Sequence, residues 1–249
     1  MRSVDDMVGD IYAQLEALGE DENTFFFYTG DHGFHLGQLG MGYDKRQLYD
    51  TDIRVPYFVK GPGVPEGAVR NDPISHVDLA PTVIDIATGS VPSNWDGHSY
   101  LPLLKSAGHV EWRKDTLIQY FGEGTVESCG ANKLEYHQAA DGSFIAERVG
   151  AYIPAPCDGM NNTYTCVRRV DLPNGYDDIL CAFTCFHHPG GTPVTCPDDQ
   201  PEGYGEYYDM TVDPWQVHNT ARELNPKKRQ ELENRLETLR NCAGQQGCS

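Results

Sequence analysis

Long apolar runs are missing from this 249-residue sequence: nothing in it approaches the roughly 18–20 apolar residues of a membrane-spanning helix. The opening segment MRSVDDMVGD also lacks the apolar stretch of a secretory leader, and it is acidic. Basic residues are scarce, 19 Lys and Arg against 37 Asp and Glu, which leaves a formal net charge of −18. That deficit excludes nucleic acid and anionic membranes as bulk partners, because both reward a basic face. A small anionic substrate is not excluded, since it needs only a local cluster of cations. Internal repeats and low-complexity runs are absent. Cysteine is missing from the first 128 residues.

All eight cysteines (Cys129, Cys157, Cys166, Cys181, Cys185, Cys196, Cys242 and Cys248) crowd into the second half. An even number in a loop-rich region predicts disulfides, and with them a secreted or lysosomal setting. Cys242 and Cys248 enclose the short flexible link AGQQG, which suits a small closed loop. Cys166 and Cys181 flank a turn containing Pro173, Asn174 and Gly175 between two strand-like runs, which suits a bridge across a hairpin. A zinc site is the competing reading, with Cys181 and Cys185 as its only closely spaced pair. A secretory cysteine set behind a start with no leader predicts that the chain begins inside a longer protein.

The 39% of apolar residues mark a globular chain. Val4, Val8, Ile11, Leu15 and Leu18 recur at four- and three-residue spacing, predicting an amphipathic helix over 3–18 with Ser3 as cap. TFFFYT (24–29) and VPYFV (55–59) read as strands; the first is too apolar for one-sided burial, as in a parallel sheet covered on both faces. DLAPTVIDIA (78–87) reads as a helix with Asp78 as cap and Pro81 in its first turn. This order is that of an α/β fold. From about residue 115 the texture changes to Gly, Pro, Asn, Asp and Cys, with strand-like pieces at 116–121, 164–170 and 206–210. A last helix begins near Asn225 and Pro226 and carries Leu232, Leu236 and Leu239. The expected division is 1–114, a part of an α/β domain, and 115–249, a disulfide-containing α+β lobe with a small antiparallel sheet.

Chemistry concentrates in FFFYTGDHGFHLGQ (25–38). In open α/β sheets ligands sit beyond the carboxyl ends of strands, and Asp31 and His32 lie just past such an end. Gly30 and Gly33 permit a tight turn that aims both side chains into one crevice, where Asp31 would suit a hard divalent cation. Imidazole is a softer ligand. The plainer account, an Asp-initiated turn with a hydrogen-bonded histidine, is favoured by spacing alone. Lys45 and Arg46 in YDKRQLYDTDIRVP would suit a sulfate or phosphate oxyanion; a solvated pair balanced by Asp44, Asp50 and Asp52 is the alternative. His187 and His188 read as loop surface. Asn161, followed by Asn162 and Thr163, matches a glycosylation sequon.

The order YTGDHGFHLGQ, DKRQLYDTDIRVPYFVKGPGV, HVDLAPTVIDIATG and DGHSYLPLL resembles the second half of a type I sulfatase. YFGEGT, NNTYTCVRRV, YYDMTVDPWQVHNTA and LRNCAGQQGC bring it nearest to members acting on 6-O-sulfated N-acetylglucosamine in heparan and keratan sulfate. CGANKLEYHQAADGSFIAERVG and CFHHPGGTPVTC are poorly matched. The resemblance implies an alkaline-phosphatase-like fold with a C-terminal lobe. It makes Asp31 and His32 ligands of one calcium ion, although many relatives carry asparagine at the position of His32. It gives Lys45 a contact to the sulfate group, in which Arg46 shares, and sets His35 near the substrate. The implied partner is a sulfated glycosaminoglycan or sugar, the implied compartment lysosomal or secreted, and a homodimer is compatible with it.

One departure stands out. The family's nucleophile is a formylglycine made from the cysteine or serine of a C/S-x-P/A-x-R motif, and no residue here starts that pattern. Its paired aspartates for calcium, which precede the motif in relatives, are missing too. The expectation is therefore the C-terminal half of a sulfatase, with formylglycine and the other calcium ligands upstream. Rivals are another sulfatase, a phosphoesterase with the same metal corner, and a non-catalytic glycan-binding protein of the same family.

Overall fold

A computed structural model describes residues 2–106, 108–122, 133–138, 144–149, 162–183 and 205–248. In chain order its helices are α1 (Arg2–Leu18), α2 (Asp50–Ile53), α3 (Leu79–Thr88), α4 (Leu101–Lys105) and α5 (Pro226–Asn241), with a last short turn of helix at Gly244–Gly247. The strands are β1 (Phe26–Thr29), β2 (Tyr57–Lys60), β3 (Asp115–Tyr120), β4 (Lys133–Gln138), β5 (Phe144–Val149), β6 (Tyr164–Asp171), β7 (Tyr176–Phe183) and β8 (Gly205–Asp209). They fall into two compact units. One comprises Met1–Gly33, Arg54–Lys114 and Cys242–Ser249; the other comprises Phe34–Ile53 and Asp115–Asn241.

In the first unit the apolar run becomes β1, which pairs with β2 in the register Phe27↔Val59 and Tyr28↔Phe58. The pairing is antiparallel, which corrects the expectation of a parallel sheet at this point. An apolar run reports burial but not direction. Parallel neighbours need a crossover of a dozen or more residues, usually a helix, and the described helix between β1 and β2 is the four-residue α2. Helix α1 starts at Arg2, so Ser3 lies inside its first turn and is not its cap. Its apolar stripe is present but no residue of the helix is buried. Val4 and Val8 line a groove of about 660 Å³ together with Phe26, Tyr28, Phe58 and Val59.

Helix α3 is preceded by a 3-10 turn at His76–Asp78. Asp78 stands at the N-cap position of α3, as the sequence suggests, but its side chain makes no capping bond to that helix. It closes a capping box with Ser75 one turn earlier, because its carboxylate is buried among other donors: His98 N at 2.9 Å and Arg113 Nη1 at 2.9 Å to Oδ1, and Ser75 N at 2.8 Å to Oδ2. Arg113 Nη2 completes a two-point pair with the same carboxylate. Gly97 passes so close to the Val77 carbonyl that a Cβ would collide with it. The tail loop closed by Cys242–Cys248, with Cα atoms 5.1 Å apart, returns to this unit. There Gly244 N donates to Asp96 Oδ1 at 2.7 Å.

The second unit is built on an antiparallel sheet of order β3-β6-β7-β8. Its strands alternate with period two and are covered on both sides. Tyr164, Cys166, Ile179, Cys181, Tyr208 and Met210 face one cluster with Leu48. Val167, Leu180 and Tyr207 face Leu232, Leu236 and Leu239 of α5. The three leucines are buried, as their spacing predicts. Cys166 stands opposite Cys181 in the β6–β7 register, and the two are bridged with Cα atoms 4.0 Å apart. This disulfide overturns the zinc reading of Cys181. Strands β4 and β5 form a further antiparallel pair. Cys185, His187 and His188 lie outside the described residues.

At the meeting of β6, β7, β8 and α5, Asp178 is 1% exposed. It takes two bonds from Arg169 (2.9 and 2.7 Å), one from the Tyr207 hydroxyl (3.0 Å) and an ion pair from Lys228 (3.0 Å). Burial alone would push the Asp178 carboxyl up, but the bonds from Arg169 and Lys228 outweigh it and hold it below the ordinary carboxylate range. Burial, only partly offset by Lys228, pushes the Tyr207 hydroxyl up to about 12.

Two outcomes follow from these contacts. Asp178→Ala strands Arg169 and Lys228 and should cost about 3–5 kcal/mol in urea denaturation. Because the folded carboxyl is depressed, its contribution is whole above the unfolded aspartate value near ~3.9 and fades as pH falls through the lower folded value. The acid limb of a stability–pH profile should therefore flatten in Asp178→Ala; an unchanged limb assigns it to other groups. Separately, the apolar groove beside α1 should bind the dye ANS at neutral pH under native conditions. A Phe58→Asp variant that keeps its circular dichroism should bind distinctly less; equal binding would place the dye elsewhere.

Candidate functional site

The end of β1 carries the first group of candidate residues. After Thr29 the chain turns through Gly30, Asp31, His32 and Gly33. The Asp31 carboxylate points to solvent, with its side chain 85% exposed, and Oδ2 stands 3.1 Å from His32 Nε2. His32 Nδ1 lies 2.7 Å from the Gly33 carbonyl. A carbonyl only accepts, so Nδ1 carries the proton of this bond. Nε2 then turns a lone pair toward a carboxylate oxygen unless a cation, a proton or a metal ion, stands between them. Fixing one ring nitrogen on a backbone carbonyl so that the other is presented outward is how proteins prepare a histidine ligand. The pair therefore fits part of a metal's shell. Among the described residues no group of three or more His, Cys, Asp or Glu side chains is placed to hold a metal ion.

His76, from the turn before α3, reaches the same backbone. Its Nε2 lies 2.9 Å from the Gly30 carbonyl and 3.1 Å from that of Asp31.

A separate group of candidate residues lies on 34–53, in the other unit. This loop is pinned at its neck by Phe34 N to Thr51 O at 2.9 Å, and by reciprocal bonds between His35 and Asp44 at 2.9 and 3.2 Å. Beneath it His35 and Asp52 form a buried pair, with Nδ1 2.8 and 2.9 Å from the two carboxylate oxygens. Asp52 also accepts from Gln47 N at 2.8 Å. Leu48, 1% exposed, anchors the loop in the core of the sheet. Above this base Lys45 is exposed, its backbone N–H bonded to Asp44 Oδ1 at 2.8 Å. Arg46 pairs with Asp44 Oδ2 at 2.9 Å, and its carbonyl accepts from Asn162 Nδ2 at 2.9 Å.

The residues singled out from the sequence thus fall into two groups, Asp31 with His32 on one unit and His35, Lys45 and Arg46 on the other. Asn161 lies outside the described residues. Sequence reasoning passed over Asp52 and His76. In the sequence Asp52 is one of three aspartates that balance Lys45 and Arg46, and its signal, a carboxylate one turn from the apolar Leu48, is weak. His76 opens the HVDLAPT segment, where attention fell on the aspartate.

A profile of the Sulfatase family matches residues 1–90. Bovine (Bos taurus) N-acetylglucosamine-6-sulfatase is 36% identical over 248 residues, 97% of this chain and 39% of that protein. The chain belongs to the sulfatase family. A solved structure described as a complex with its substrate D-glucosamine-2-N,6-O-disulfate superposes with a TM-score of 0.66 at 27% identity, over 94% of this chain and 37% of the other. The phosphonate monoester hydrolase of Agrobacterium radiobacter shares the fold, with a TM-score of 0.63 at 20% identity over 95% and 39% of the two chains. The fold is that of the alkaline-phosphatase-like sulfatases, α/β with an α+β part. The chain spans about two fifths of the length of the relatives it matches.

Removing the carboxylate under the loop tests its architecture. Asp52→Ala leaves the buried His35 Nδ1 without its partner and should cost about 1–3 kcal/mol, the range for an unsatisfied buried hydrogen-bonding group. Limited proteolysis should then cut within 36–47 well before the rest of the chain. Uniform cleavage along the whole chain would show that the pair holds more than this loop.

Proposed function

We propose that this chain carries part of the active site of a sulfuric ester hydrolase that removes 6-O-sulfate from N-acetylglucosamine units of glycosaminoglycans. The observation that carries the reading is the 36% identity to N-acetylglucosamine-6-sulfatase over 97% of the chain. The Asp31–His32 turn and the Lys45–Arg46 loop lie within that matched length.

In this reading Asp31 and His32 are two of the ligands of a calcium ion. Asp31 offers an exposed carboxylate oxygen, and His32 offers Nε2, oriented by the Gly33 carbonyl. Calcium takes about 6–8 oxygen-type ligands, so these two side chains supply a minority of the shell. When bound, the ion supplies positive charge that draws electron density from sulfate oxygens. Lys45 contributes a flexible ammonium to the sulfate group and Arg46 a planar guanidinium, braced by Asp44 on one side. His35, held by Asp52, stiffens the loop that presents them, and proximity to the substrate completes its proposed role. The 249 residues contain no C/S-x-P/A-x-R motif, so they supply no formylglycine and no nucleophilic step is assigned to them. Two described disulfides support a secreted or lysosomal setting, to which glycosylation at Asn161 belongs. Among the described residues no helix is long and apolar enough to cross a membrane.

The test is turnover of 6-O-sulfated N-acetylglucosamine in the presence of calcium. Residues 1–249 alone should release no sulfate. Joined to a sulfatase segment that carries the C-x-P-x-R motif, the chain should become active. Lys45→Ala should then lower kcat/KM by at least about 10²-fold, the usual loss for one electrostatic group at a reacting centre. Turnover by residues 1–249 alone that vanishes in Asp31→Ala would overturn the division of labour. A joined enzyme indifferent to Lys45→Ala would overturn the sulfate contact.

A further inference from the structure

We propose that His76 is a positioning residue that locks the Asp31–His32 turn in its ligand-presenting form. This rests on the reading of Asp31 and His32 as metal ligands. The geometry is a three-centre bond: His76 Nε2 stands 2.9 Å from the Gly30 carbonyl and 3.1 Å from the Asp31 carbonyl. Both partners only accept, so Nε2 carries the proton and one imidazole N–H holds two consecutive peptide planes. The side chain of a residue swings when the peptides on either side of it rotate. Holding the carbonyls of 30 and 31 on one donor therefore fixes the direction in which the Asp31 carboxylate leaves the backbone. His32 is held in the same manner, through Nδ1 on the Gly33 carbonyl. Three carbonyls within a four-residue turn thus accept from two imidazoles.

A donor positions only if it is itself held. His76 opens the 3-10 turn His76–Asp78, which is closed by the Ser75–Asp78 capping box. Asp78 is fully buried and receives His98 N and both terminal nitrogens of Arg113. Gly97, which has no room for a Cβ, lets the following chain lie against the Val77 carbonyl. A buried ion pair is thereby connected through one short turn to an exposed one at the metal corner. Asp78 and Arg113 explain why the turn is rigid; His76 is the part that touches the site.

Three measurements on residues 1–249 decide the matter. In the unaltered protein, long-range nitrogen NMR should find His76 protonated on Nε2; a neutral ring protonated on Nδ1 instead would overturn the proposal without any variant. In His76→Ala, amide exchange across 30–33 should rise about tenfold while the thermal midpoint stays nearly unchanged, and His76→Gln, which restores an N–H donor of similar reach, should bring it back. Exchange that does not respond, or that Gln fails to rescue, overturns it. Should His76→Ala fail to fold, His76→Gln and the tautomer carry the test. Terbium(III) titration then reads the metal corner: His76→Ala should weaken binding severalfold and Asp31→Ala should abolish it. Binding that ignores Asp31→Ala refutes the metal reading itself, whereas the metal-free exchange data judge His76 independently.

Discussion

A carboxylate withdrawn from water has to be surrounded by donors, and three aspartates of this acidic chain meet that demand in ways that organise everything near them. Asp78, Asp178 and Asp52 are 0%, 1% and 3% exposed. Each collects donors from both near and distant segments: Asp78 from 75, 98 and 113, Asp178 from 169, 207 and 228, Asp52 from 35 and 47. Leaving one donor out would cost several kcal/mol, so each cluster is satisfied as a set or not at all. Chains with an acidic excess have carboxylates to spare, and here the buried ones set geometry. Asp178 joins three strands to α5, Asp78 fixes the turn that carries His76, and Asp52 fixes the loop that carries Lys45 and Arg46.

Much of this was legible in residue patterns. The helix over 2–18 followed from its 3.6-residue repeat, α5 from the spacing of Leu232, Leu236 and Leu239, and the β6–β7 hairpin from its Pro-Asn-Gly turn between two cysteines. Those signals are local, and each was enough by itself. Strand direction was not legible: FFFYT announces a buried strand, but nothing in four aromatics distinguishes a parallel neighbour from an antiparallel one. The role of Asp78 was half legible. Its place before DLAPTVIDIA marks a helix start, yet whether its carboxylate caps that helix or an ion pair depends on Arg113, 35 residues away. The buried His35–Asp52 pair, 17 residues apart, was hidden for the same reason, since contacts across a loop leave no periodic trace.

The exposure of the two candidate groups, each within its own unit, has a common logic. Asp31 is solvent-facing on a turn whose backbone is tied down, and Lys45 is solvent-facing on a loop whose base is buried. In both, the group meant to meet a charged ligand stays hydrated until it is needed, while the rigidity resides in the peptide groups and carboxylates beneath. Burying the functional charges instead would have required permanent partners and left nothing to offer a ligand. The exposed cation on a braced loop also answers the problem of net charge. A formal −18 repels a polyanion at long range, but exposed charges farther apart than about 8–10 Å are largely screened at physiological salt. In the proposed reading, what a sulfate group would sense at contact is the immediate neighbourhood of Lys45 and Arg46.

That neighbourhood is itself a balance. Asp44 binds Arg46 through one carboxylate oxygen and the backbone of Lys45 through the other. It therefore orients both residues at once, while its negative charge lowers the net field they present. A guanidinium already paired on one edge keeps its remaining N–H groups in a known plane, and planar, pre-oriented donors discriminate among oxyanions better than mobile ones. An unpaired arginine would bind any anion harder and choose less. In the proposed reading the Asp44 carboxylate would thus tune the selectivity of the two cations. In that reading the same reasoning applies at the other turn, where Asp31 and His32 face each other at 3.1 Å.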